Sequence, residues 1–111
     1  MQPTDLSPLK LAQRANNAAA KLTTAHTYLA REKEALLEAK ENLKIAETKH
    51  ILIGLEGKNA ETRNAHLAEK TTSERNALLT AEHKVIQAEA EYHQSRIAWQ
   101  LTCELIKLAT A

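Results

Sequence analysis

Phenylalanine is absent from this chain of 111 residues, and Tyr28, Tyr92 and Trp99 are its only aromatics. Gly and Pro together occupy four positions, Pro3, Pro8, Gly54 and Gly57. So little turn chemistry excludes a β-sandwich, a Rossmann-type domain and any other sheet-rich fold. The single Cys103 excludes an internal disulfide and is expected of a reducing compartment. A net charge of +1 excludes a global field that would draw in nucleic acid or anionic lipid. No apolar run approaches the roughly 18 residues needed to span a bilayer. Residues 1–5 have neither the basic nor the apolar region of a secretory signal, so a cytoplasmic protein without membrane association is expected.

What the chain has in abundance is alanine, at 20 positions, among other good helix formers. A first helix is predicted over residues 8–53, with Ser7 as N-cap and Pro8 at the first helical position. A heptad frame fits it. Position a falls at Ala15, Leu22, Leu29, Leu36, Leu43 and His50; position d falls at Leu11, Ala18, Ala25, Glu32, Ala39, Ala46 and Ile53. A second helix is predicted over residues 60–110 after a turn at 54–59, where Gly54 or Gly57 takes the left-handed position and Asn59 caps. Its a positions are Asn64, Thr71, Leu78, Val85, Tyr92, Trp99 and Ile106, and its d positions are Leu67, Glu74, Ala81, Ala88, Ser95, Thr102 and Ala109. Thr71-Thr72-Ser73-Glu74 resembles a capping box and marks the one candidate break in this helix.

The expected architecture is all-α, an antiparallel two-helix coiled-coil hairpin forming a single domain. If the turn centres near 56.5, facing residues have numbers adding to about 113. Trp99 then meets Ala15 and Ala18, and Leu36 meets Leu78. The seam acids Glu32 and Glu74 would reach the rim near Lys84 and Lys40. A second apolar stripe of Ile97, Leu101, Leu105 and Leu108 predicts a homodimer with a four-helix arrangement, unless Leu6 and Leu9 cover it.

Catalysis finds little footing. Cys103 sits among apolar residues that suppress thiol reactivity, no Gly-rich phosphate loop exists, and a thin bundle offers no deep pocket. No enzymatic activity and no cofactor are expected. Glu47-x-x-His50 has the spacing of a di-metal bundle ligand pair, and His66 lies close in sequence logic, but two histidines near a turn are better read as polar capping. Lys10, Arg14 and Lys21 share a helix face in a segment whose first 31 residues carry a local charge of +3, an alternative nucleic-acid surface. A purely structural coiled-coil element is the third reading.

The run Gly57-Lys58-Asn59-Ala60-Glu61-Thr62-Arg63-Asn64-Ala65, echoed faintly at Ala81-Glu82 and Trp99-x-Leu101, resembles a stretch found in small helical proteins encoded by phages and prophages. The resemblance covers about half the chain. It implies a phage accessory protein without an assigned activity and names no catalytic residue; an adaptor or inhibitor of a host protein, inside the host cell, is the leading expectation. The turn residues Glu56, Lys58, Arg63 and His66 are the expected protein-contact site, since exposed turns carry function more often than regular helix faces.

Overall fold

The computed structural model describes residues 7–110. They form three helices and no strand: α1 (Pro8–Ile53), α2 (Ala60–Lys70) and α3 (Thr72–Thr110). The chain start is built as its residues dictate. Ser7 accepts from the Lys10 amide at 3.4 Å through Oγ and from the Leu11 amide at 2.9 Å through its carbonyl, while Pro8 needs no partner for its missing N–H. Helix α1 ends at Gly54, whose φ of +110° lets its amide donate back to His50 (3.1 Å) and Ile51 (3.2 Å).

The predicted second helix is divided at Thr71. Its backbone (φ −111°, ψ 21°) leaves the helical region, although its amide still reaches Leu67 O at 3.1 Å. The expected capping box is not what divides it. Thr71 is fully buried, and its hydroxyl donates to Leu67 O (2.8 Å) while accepting from Arg75 Nε (2.9 Å). Thr72 Oγ1 likewise donates back, to Glu69 O at 2.9 Å and Ala68 O at 3.2 Å. Hydroxyls turned onto the preceding carbonyls compete with the helix ladder and often bend it.

The chain divides into two compact units. The first joins α1 up to Ala30 with α3 from Gln87. Its buried residues are Leu11, Ala18, Ala25 and Leu29 on α1 and Ala88 and Thr102 on α3. The Thr102 hydroxyl is satisfied by Ala98 O at 2.9 Å. Here the rings of His26 and Tyr92 lie 5.7 Å apart, tilted by 52°. The second unit runs from Arg31 to Ile86 and buries Leu67, Thr71, Ala81 and Val85.

Every buried residue named occupies a predicted a or d position. The ends of the frame do not: Ile53, Asn64 and Ala109 are exposed. Two contacts cross between helices, His26 with Tyr92 in the first unit and Glu47 with Arg75 in the second, both made by long side chains at or beside the seam. In the connection, the Glu56 amide meets His66 of α2.

In the second unit the seam is thin where Ala and Glu take d positions. Ala39 and Ala81, with Ala35 and Ala77, leave a cleft of about 400 Å³ flanked by Glu32 and Glu74. The expected rim pairs do not form: neither Glu32 with Lys84 nor Glu74 with Lys40 is an ion pair, and Glu74 Oε2 is shielded from water without a hydrogen-bond partner.

Candidate protein-contact site at the helix connection

The connection between α1 and α2 is fixed by short-range chemistry. Gly57 has a φ of +136°, and a Cβ there would sit 2.6 Å from Thr62 Oγ1 and 2.9 Å from the Arg63 amide. Only glycine fits. Two residues on, Asn59 adopts extended geometry (φ −141°, ψ 174°) and its Oδ1 accepts from the Thr62 amide at 2.9 Å. Thr62 Oγ1 accepts in return from the Asn59 amide at 3.2 Å, completing a capping box. Glu61 in the first turn of α2 suits the positive end of the helix dipole.

The middle of the loop has one further tie. The Glu56 amide donates to Nδ1 of His66 at 3.0 Å. An imidazole accepts only at an unprotonated nitrogen, so this contact fixes the tautomer with hydrogen on Nε2. These bonds hold the backbone and leave the side chains of Glu56, Lys58 and Arg63 exposed, with His66 half-buried. All four predicted contact residues therefore belong to one short segment, with His66 serving the backbone as well.

A neighbouring feature was missed by the heptad reading. Ile51, Leu52 and Ile53 in the last turn of α1 are 55%, 80% and 71% exposed. The signal was present, because three consecutive residues point about 100° apart and cannot all enter a one-sided seam. Also unforeseen is a polar chain running from Thr71 through Arg75 to Glu47. Arg75 Nε meets the Thr71 hydroxyl, and its terminal nitrogen lies 3.4 Å from Glu47 Oε2. That pair is partly exposed and adds little to stability by itself, of order 0–1 kcal/mol. Its effect is positional: it links the division between α2 and α3 to α1. Among the described residues no three His, Cys, Asp or Glu side chains gather closely enough to hold a metal ion.

The other candidate surfaces are placed as follows. On the basic face, Lys10 and Lys21 are exposed, while Arg14 is half-buried and already engaged. On the apolar stripe, Ile97, Leu101 and Leu108 are exposed and Leu105 is half-buried. Leu9 is exposed and does not cover the stripe; Leu6 lies outside the described residues. Cys103 is a half-buried free thiol. No helix among the described residues is long and apolar enough to cross a membrane. No known protein family, curated protein or solved structure matches the chain.

Proposed function

We propose that this chain is a non-enzymatic binding protein, an antiparallel coiled-coil hairpin that dimerises through α3 and engages another protein with the connection between α1 and α2. The observation that carries the reading is the state of that connection. Its backbone is tied by Gly54, Gly57, the Asn59–Thr62 box and His66, while Glu56, Lys58, Arg63 and the apolar Ile51–Ile53 turn face solvent. A loop ordered before binding loses less conformational entropy when a partner docks. Exposed branched aliphatics beside charges of both signs have the make-up of an interface, an apolar centre within a polar rim.

The hairpin is supported by the coincidence of buried residues with the predicted seam and by the His26–Tyr92 and Glu47–Arg75 contacts. The likeness of the turn to phage-encoded helical proteins suggests an adaptor or inhibitor acting on a host protein.

The test is affinity capture from an extract of the encoding organism's host, followed by mass spectrometry and a binding titration on the recovered partner. Replacing Lys58 and Arg63 with Ala is expected to weaken that binding while helical content and oligomeric state stay unchanged. If binding instead depends on Lys10, Arg14 and Lys21 and falls steeply with salt, the partner is a nucleic acid and the tip reading is wrong.

A further inference from the structure

The imidazole of His66 meets the middle of the connection as an acceptor, taking the Glu56 amide at 3.0 Å. We propose that His66 is a proton-operated strap: a bare Nδ1 holds the Glu56 amide and orders residues 55–58, and protonation of Nδ1 releases them. The chemistry is a single proton transfer from solvent to Nδ1. Once that nitrogen carries hydrogen it is a donor, and two donors cannot share the contact.

The loop has no substitute for this bond. The Asn59–Thr62 box secures its far end and Gly54 secures its near end, but between them the backbone is tied to α2 at Glu56 alone among the bonds described. The strap therefore exists while Nδ1 is bare and is lost when that nitrogen carries a proton. The charged and titratable residues nearest to it along the chain are His50 at the end of α1, Glu56 and Lys58 on the connection, and Arg63, Glu69 and Lys70 on α2. Glu56 meets the ring through its backbone amide, and no side chain of this set is described as hydrogen-bonded to it. The consequence for the tip rests on the protein-contact reading given above: its exposed side chains are displayed from one backbone conformation only while His66 is neutral.

Nuclear magnetic resonance on the full chain tests the strap without any partner. At about pH 8 the ring nitrogens of His66 are expected to show the Nε2–H tautomer. On titration to about pH 5, the Glu56 amide resonance should move in step with His66 protonation, and its exchange protection should fall roughly threefold to tenfold. In His66→Gln, whose side-chain oxygen accepts without titrating, the Glu56 amide should lose this pH response. His50→Gln should retain it. Finding the Nδ1–H tautomer at pH 8 overturns the proposal, as does a Glu56 amide that responds to pH equally in His66→Gln. Because no partner enters these measurements, the strap can stand if the tip proves not to bind protein, and fall if it does.

Discussion

Gly54 and Gly57 both have positive φ, at +110° and +136°, yet they are not equivalent positions. A methyl group on Gly54 would meet nothing within 4 Å, so Gly54→Ala carries only the backbone strain, about 1 kcal/mol. On Gly57 the same methyl would collide with Thr62 Oγ1 and the Arg63 amide, the two groups around which α2 starts. Relief requires moving the capping box, so Gly57→Ala is expected to cost at least about 2 kcal/mol. Urea melts followed by far-ultraviolet circular dichroism measure both. Equal losses at the two glycines would show that the Asn59–Thr62 box does not constrain the connection. Glycine is a categorical signal, which is why the turn was legible from sequence alone. The role of His66 was not, because nothing in a sequence tells which backbone amide an imidazole will meet.

Among the elements, α1 ends where it was predicted to, and α2 begins where Asn59 announces it. The division at Thr71 was harder to read. Threonine is only a slightly poor helix former, and its effect here comes from burial and from hydroxyl bonds to Leu67 and Arg75. The level at which two helices face one another is harder to read than the face itself. Slipping one helix past another by seven residues leaves every a and d position in the seam, so a heptad pattern fixes the face and not the level. The Thr71 account makes a specific forecast. Thr71→Val keeps the buried volume but removes two hydrogen bonds, at about 1 kcal/mol each. Thr71→Ser keeps both bonds and loses one methyl, about 0.8 kcal/mol. Valine is therefore expected to be the more damaging in thermal melts. A purely packing role for Thr71 would reverse that order.

At the scale of the whole molecule, what matters is apolar surface that the chain does not cover itself. In the unit containing its C-terminal part, α3 buries Ala88 and Thr102 on one side, with Tyr92 and Trp99 half-buried on the same side. At 100° per residue, Ile97 and Leu101 project from nearly the opposite side, and both are more than half exposed. An α-helix with two apolar faces is buried on both or serves as an interface. A second copy of the chain would cover the outer face by a symmetric, self-complementary contact. Light scattering is then expected to give twice the chain mass of 12.3 kDa at micromolar concentration. Leu101→Glu should return the mass to that of one chain, since it would place an unpaired charge in the interface. Because Leu101 is 61% exposed within its own chain, the same change should leave helical content and the intrinsic stability of the monomer nearly unaltered. A wild-type mass of one chain would remove the dimer. A Leu101→Glu variant that loses helix as well as mass would show that this face supports the fold of the chain before it supports any assembly.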